Sequence, residues 1–172
     1  LSTPDRLEPT DVVYGLLPSY HIMGLNVVLD MTLAVGATVV LVQRFDPSTM
    51  VETIRERGIT VIPGAPPMWT SLAQLEGLTP DDVRLALTGA AKMPEAVMRD
   101  LHDRLGLILL EGYGLTEASP VVTSSVGSPP RFGSVGRVLS GVEVRLVDES
   151  GDDALQGDVG EVWVRGPNVF RG

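Results

Sequence analysis

The chain of 172 residues contains no cysteine, and this absence excludes several kinds of chemistry. Disulfide bridges, thiolate metal sites and cysteine nucleophiles all require that side chain. Histidine is almost as scarce, because His21 and His102 are the only two. A metal centre built from several imidazoles is therefore not expected.

Positive charge and long apolar runs are also in short supply. Lysine and arginine total 13 against 22 aspartates and glutamates, which gives a formal net charge of −9. That balance disfavours a nucleic-acid partner or an anionic membrane surface, because both need a positive patch. The longest apolar run, residues 27–42, is interrupted by polar residues and glycine and falls short of the about 20 residues that span a bilayer. No transmembrane segment is predicted.

The start of the chain carries no targeting signal. Residues 1–5 lack both a methionine and a basic-then-apolar pattern, so no secretory leader is predicted and a cytoplasmic location is expected. An opening leucine suggests a piece excised from a longer protein.

Apolar strand patterns alternate with helical patterns over the first 110 residues. Strands are predicted at 12–17, 38–42, 59–62, 83–88 and 107–110. Helices are predicted at 25–35, after Asp46-Pro47, at 68–75, and from Pro94 to a glycine cap at Gly106. This order predicts βαβ units and a parallel sheet buried on both faces.

Glycine, proline and polar residues collect where these strands end, at 18–21, 63–67, 89–93 and 112–117. Ligands of open parallel sheets bind beyond the carboxyl ends of the strands. The sequence therefore predicts a site at this edge, organised around the run Gly-Tyr-Gly-Leu-Thr-Glu at 112–117.

The pattern changes after about residue 124. Residues 142–147 and 160–166 alternate apolar and polar side chains, as half-exposed antiparallel strands do. The predicted fold class is α/β, with a parallel βαβ sheet subdomain over 1–125. An incomplete antiparallel β module, part of a small barrel, is expected over 126–172.

Six short stretches, taken in order, resemble the adenylate-forming (AMP-binding) enzymes. This family includes acyl- and aryl-CoA ligases, nonribosomal adenylation domains and firefly luciferase. The stretches are 17–21 (Leu-Pro-Ser-Tyr-His), 63–67, 88–91 (Thr-Gly-Ala-Ala), 112–117, 133–136 and 160–166. Each is weak alone, but six in order are specific. The run 111–117, with Leu115 between glycine and threonine, most resembles the long-chain fatty acyl-CoA ligases.

The resemblance implies an activity and its co-substrates. Enzymes of this family activate a carboxylate with ATP to an acyl-adenylate, release pyrophosphate and then usually transfer the acyl group to a thiol. For this chain it implies a fatty acid substrate with ATP, Mg²⁺ and coenzyme A.

The resemblance also implies roles for the residues of the 112–117 run. Tyr113 would stack on adenine, a contact of roughly 1–3 kcal/mol. Gly112 and Gly114 would let the backbone approach the nucleotide. As catalytic residues, Thr116 would contact phosphate and Glu117 would bind Mg²⁺, which prefers oxygen ligands.

The remaining implied site residues precede this run. Gly89, Ala90 and Ala91 would line the adenine and acyl pockets, and Gly89 would also contact substrate. Glu111 would accept a hydrogen bond from the adenine amine. His21 would lie near the acyl pocket.

Some parts of the family pattern are not in the sequence. The lysine-bearing phosphate loop would precede Leu1, and the ribose-binding Thr-Gly-Asp motif and the domain with the catalytic lysine would follow Gly172. We therefore expect the central part of such an enzyme, unable to form adenylate alone. Apolar surface left uncovered by the truncation predicts self-association.

Simpler interpretations remain open. Tyr113 could be a packed turn aromatic, Thr116 and Glu117 a helix start, and His21 a loop histidine with its hydrogen bonds satisfied. The chain could also come from an amino-acid adenylation domain or a non-catalytic nucleotide-binding module. Glu117 favours an enzyme, and the lack of an aspartate within 18–25 favours a substrate without an ammonium group.

Overall fold

The computed structural model describes residues 6–79, 83–129 and 131–171. Its strands are β1 (Val12–Gly15), β2 (Thr38–Leu41), β3 (Val61–Gly64), β4 (Leu85–Thr88), β5 (Leu109–Gly114), β6 (Val121–Ser124), β7 (Arg137–Val138), β8 (Glu143–Val147) and β9 (Glu161–Arg165). The helices are a π-helix (Met23–Asp30) that runs directly into α1 (Met31–Val35), then α2 (Pro47–Arg57), α3 (Pro66–Leu72) and α4 (Glu95–Leu105). A 3₁₀ turn covers Thr116–Ala118.

Seven strands form one sheet in the order β2-β1-β3-β4-β5-β6-β7. The first five are parallel, which confirms the predicted α/β fold with a parallel sheet. β6 and β7 add antiparallel strands beyond β5. The sequence did not predict β6, because four residues ending in serine carry too little pattern to identify a strand.

Both faces of the sheet are covered, as the continuous apolar strands predicted. The larger cluster packs α2, α3 and α4 against one face and includes the fully buried Trp69. The smaller cluster lies on the other face, beneath the π-helix and α1. Its buried members are Val13, Val28, Val61, Leu85 and Leu110.

The helix ends follow the sequence signals. Asp46 accepts the backbone N–H of Ser48 at 2.9 Å, so it caps α2 with Pro47 at the first position. Gly106 ends α4 with φ of 63°, the left-handed conformation that glycine adopts without strain.

Several boundaries differ from the predicted ones for identifiable reasons. The strand predicted from 59 begins at Val61, because Ile59 still donates its N–H to Ile54 at the end of α2. The strand predicted from 107 begins at Leu109, because Leu107 donates to Leu101 of α4. The segment predicted as one helix over 25–35 is π-helical in its first part.

The antiparallel module is a hairpin of β8 and β9, in which Val144 pairs with Val164 and Arg145 with Trp163. Within the described residues these two strands form a sheet separate from the seven-stranded one. The barrel and the division near residue 125 stay predictions. No helix in the described part of the chain is long and apolar enough to cross a membrane.

Candidate functional site

The run at 112–117 is both strand and turn. β5 pairs in parallel with β4 through Glu111, then antiparallel with β6 from Gly112 to Gly114. The chain then enters the 3₁₀ turn that carries Thr116 and Glu117. Both of these side chains are exposed, and Tyr113 is 38% exposed, so all three are accessible to a ligand.

The packing of β6 explains the two glycines of the run. A Cβ at Gly114 would overlap the carbonyl group of Pro120, and a Cβ at Gly112 would lie 3.1 Å from the Thr123 carbonyl oxygen. The close approach of strand β6 therefore requires Gly114. The contact of both glycines with a nucleotide stays a prediction.

The loop of small residues lies beside β5, because Thr88 at the end of β4 pairs directly with Glu111. Gly89 is buried within this loop. Ala90 and Ala91 are exposed, and Ala90 has φ of 69°, which is uncommon for a residue with a side chain. The loop therefore presents backbone and methyl groups at the carboxyl edge of the sheet.

Glu111 holds the C-terminal end of this loop by a hydrogen bond. Glu111 is only 4% exposed, and its carboxylate accepts the backbone N–H of Met93 at 3.1 Å. An open recess of about 380 Å³ lies beside it, along residues 92–95. The predicted hydrogen bond from Glu111 to an adenine amine stays untested.

The π-helix contacts both the small-residue loop at 89–91 and the 3₁₀ turn that follows β5. Met23 places its methyl carbon 3.3 Å from where a Cβ on Gly89 would lie. Asn26 donates its side-chain N–H to the carbonyl oxygen of Ser119 at 3.2 Å. π-Helical turns occur frequently at functional sites. No sequence signal predicts this π-helical geometry, because the apolar spacing of residues 25–35 fits an α-helix as well.

His21 precedes the π-helix and is exposed. Its Nδ1 accepts the backbone N–H of Met23 at 3.2 Å, so in the neutral imidazole the proton lies on Nε2. The ring therefore caps the helix start. Its predicted place near an acyl pocket remains a hypothesis.

A cavity of about 280 Å³ lies between the sheet and the continuous helical segment formed by the π-helix and α1. Val27 of the π-helix and Met31 and Val35 of α1 form one wall, and sheet side chains form the other. The remaining lining residues are Arg6, Leu7, Val13, Thr32, Val61, Pro63, Leu85, Leu87 and Val126. Most of these lining residues are apolar.

Asn168, which the sequence did not mark, also contacts the turn. It lies after β9 and donates its side-chain N–H to the Ala118 and Val121 carbonyl oxygens at 2.9 and 3.1 Å. It follows the resembling stretch 160–166, and that position was the only signal available.

The fold is that of the adenylate-forming enzymes. The crystal structure of ATP-bound MatB from Rhodopseudomonas palustris matches with a TM-score of 0.88 and 34% identity, over 96% of this chain and 33% of that one. The family model described as AMP-binding enzyme matches residues 1–172. The chain belongs to this AMP-binding family.

Curated relatives of the chain include several CoA ligases. A 4-coumarate-CoA ligase from Narcissus pseudonarcissus is 37% identical over 94% of this chain and 30% of its own length. A long-chain-fatty-acid–CoA ligase from Bacillus subtilis is 30% identical over 98% of this chain and 31% of its own length. The chain spans about a third of the length of the relatives it matches.

Proposed function

We propose that this chain is the central part of an ATP-dependent, AMP-forming CoA ligase that activates an apolar carboxylic acid. In this proposal residues 1–125 carry the adenine and acyl pockets, and residues 126–172 begin the antiparallel module. ATP and coenzyme A are the co-substrates, Mg²⁺ is the bound ion, and the protein is cytoplasmic.

One observation carries this proposal. A single continuous helical segment touches the small-residue loop through Met23, touches the 116–119 turn through Asn26, and walls the apolar cavity through Val27 and Met31. A nucleotide over Tyr113 and an apolar acid in the cavity would therefore share one wall. A shared wall supports the proposal, because joining a carboxylate to a phosphate needs the two ligands in neighbouring sites, with the reacting atoms within about 3–3.5 Å.

The residues of the turn fit a Mg²⁺–nucleotide complex. Glu117 offers an exposed carboxylate, and Thr116 a hydroxyl beside it. Within the described ranges, no group of three or more acidic or histidine side chains could hold a metal by itself. Mg²⁺ commonly takes one or two carboxylates together with substrate phosphates, where it neutralises phosphate charge. Glu117 would be its protein ligand.

For the acid itself, we propose a fatty carboxylate. The cavity wall is apolar over most of its lining, and no carboxylate is among the described residues that line it. These residues offer a substrate ammonium no counter-charge, which disfavours an amino acid. A hydroxycinnamate-like aryl acid is the alternative, because several similar relatives are 4-coumarate ligases.

Nucleotide binding tests the proposal on the 172-residue chain. Tyr113→Ala should weaken MgATP binding by roughly 5- to 100-fold in calorimetry, because base–aromatic stacking is worth about 1–3 kcal/mol. Tyr20→Ala is the matched control, since Tyr20 is 94% exposed and lies before the π-helix. Equal affinity of both variants and the wild type would refute the adenine contact.

Substrate selection distinguishes the candidate functions. We expect the intact ligase to consume ATP with fatty acids and not with amino acids. Preferential use of 4-coumarate would favour the aryl alternative, and no turnover with any acid would favour a binding module. The 172-residue chain alone should show no pyrophosphate exchange above background.

A further inference from the structure

Three consecutive carbonyl groups of the turn that carries Glu117 accept hydrogen bonds from distant parts of the chain. The Glu117 oxygen accepts the backbone N–H of Phe170 at 2.9 Å. The next oxygen, on Ala118, accepts from the Asn168 side chain at 2.9 Å, and that of Ser119 from Asn26 at 3.2 Å. Two of these donors follow β9, and the third lies in the π-helix.

The turn has few bonds of its own. Ala118 donates to the Leu115 carbonyl and Ser119 to the Thr116 carbonyl, and Ser119 has φ of 57° although it is not glycine. A residue with a side chain holds that conformation only when its surroundings impose it. The external donors therefore help to fix the peptide planes around Glu117, and with them the direction in which its Cα–Cβ bond leaves the backbone.

Asn168 makes two contacts with one amide group, one to the turn and one to the start of β6. Its nitrogen donates to both Ala118 and Val121, so the orientation of the amide is fixed. The reversed orientation would place its oxygen against two carbonyl oxygens. The Oδ1 atom is buried and has no hydrogen-bond partner among the described residues.

That buried oxygen argues against a purely stabilising role. An acceptor buried without a partner destabilises a fold, so an asparagine here is a poor choice if stability alone matters. Its amide nitrogen, in contrast, bridges the Ala118 carbonyl of the turn and the Val121 carbonyl at the start of β6.

We propose that Asn168 is a positioning residue that holds the Thr116–Ala118 turn so that Glu117 faces the Mg²⁺–nucleotide complex. The inference rests on the proposed function, because Glu117 needs a fixed direction only if it binds that complex. It couples the segment after β9 to the nucleotide site, with Asn26 holding the same turn from the opposite part of the sequence.

Two measurements on the 172-residue chain test this proposal. Asn168→Asp keeps the shape of the side chain, removes both donors and places an acid against two carbonyl groups. We expect the amides of Ala118 and Ser119 to exchange hydrogen about tenfold faster, as the loss of one hydrogen bond predicts. We expect affinity for MgATP to fall about 10- to 100-fold, as for other residues that orient a metal ligand. Affinity for ATP in EDTA should stay unchanged.

The control is Arg165→Gln, which removes an exposed ion pair with Glu143 at the end of β9 without touching the turn. Both readouts should match the wild type. Asn26→Ala is a second test variant that removes the donor to Ser119 and should speed exchange at the same amides. Asn168→Ala removes the same two donors as Asn168→Asp without placing an acid beside the turn, and it decides the proposal if Asn168→Asp does not fold.

Unchanged exchange at Ala118 and Ser119 in Asn168→Asp would overturn the proposal, whether or not the chain binds ATP and whatever Asn26→Ala shows. Faster exchange with an undiminished gain in affinity from Mg²⁺ would overturn the link to Glu117. A wild-type chain that binds no ATP would instead contradict the proposed function and leave the exchange measurement to decide whether Asn168 holds the turn.

Discussion

The seven-stranded sheet with its helices, here called the sheet body, and the β8–β9 hairpin bury their side chains to different extents. The two tryptophans of the chain show this difference. Trp69 in α3 is fully buried and donates its ring N–H to the Leu87 carbonyl at 3.1 Å. Trp163 in β9 is 50% exposed, and its ring N–H meets the carboxylate of Glu161 at 2.7 Å. One side chain organises a core, and the other covers a hairpin face.

The hairpin separates its side chains by face. Glu143, Arg145, Trp163 and Arg165 share one face and pair by charge or by ring contact. Apolar residues occupy the other face, and much of that face remains exposed. Isolated two-stranded hairpins are marginally stable in water. The hairpin therefore depends on what it contacts, and Asn168 and Phe170 are the hydrogen-bonded contacts that join its end to the 116–121 segment.

The largest expected effect separates the two regions directly. Trp69→Ala should lower the free energy of unfolding by about 3–5 kcal/mol, because it leaves a cavity in the core and an unpaired Leu87 carbonyl. Trp163→Ala should cost only about 0.5–1 kcal/mol, because its contact with Arg145 is exposed. Urea denaturation followed by circular dichroism measures both. Equal losses would mean that the hairpin belongs to the same cooperative core.

A second pair of variants compares buried and exposed charge. The carboxylate of Asp11 accepts hydrogen bonds from the Thr60 hydroxyl at 2.8 Å and from Nε of Arg84 at 3.1 Å. Asp11→Asn should destabilise the body by about 1–3 kcal/mol at pH 7, because it weakens a buried network. Asp153→Asn, which breaks an exposed pair with Arg145 in the hairpin, should cost less than about 1 kcal/mol.

The acid limb of the stability curve sharpens this test. Burial raises the pKa of Asp11, but hydrogen bonds from Arg84, the Glu8 backbone and Thr60 outweigh it, and the net pKa lies below its usual range. Asp11 therefore contributes fully above the unfolded-state pKa of about 3.9 and loses that contribution as pH falls through the lower folded value. The difference in free energy of unfolding between wild type and Asp11→Asn should narrow below about pH 4. A difference that does not change with pH would contradict the lowered pKa of Asp11.

The same contrast explains how far the sequence predicted the fold. In the body, β-branched runs, the Asp46 cap and the Gly106 cap each identified an element, because local signals and tertiary packing agree there. The boundaries at Val61 and Leu109 were missed, because Ile59 and Leu107 are apolar enough for a strand yet bond back to the preceding helices. β6 was missed because its partner strand, not its own pattern, makes it a strand.

The candidate site divides in the same way. Gly112–Glu117 and Gly89–Ala91 were identifiable because their residue types and order match a family. Asn26 and Asn168 were not, since each acts through a backbone carbonyl group that lies about 50 or more residues away in sequence. Sequence spacing cannot reveal such a contact, because it exists only once the chain has folded.

The smallest expected effect concerns the apolar face of the hairpin. Leu146 and Val162 pair across β8 and β9, and both are exposed. We expect the 172-residue chain to self-associate through this face, because exposed apolar patches mark interaction surfaces. Val162→Lys should weaken association about tenfold, or about 1.4 kcal/mol, in sedimentation equilibrium.

The control is Leu41→Lys, on the edge strand β2 of the body, where the leucine is 77% exposed. If Leu41→Lys disrupts association and Val162→Lys does not, the chain associates through the open edge of the sheet at β2. An open edge strand presents unpaired backbone groups to another chain. A wild-type monomer at high concentration would instead mean that neither surface associates.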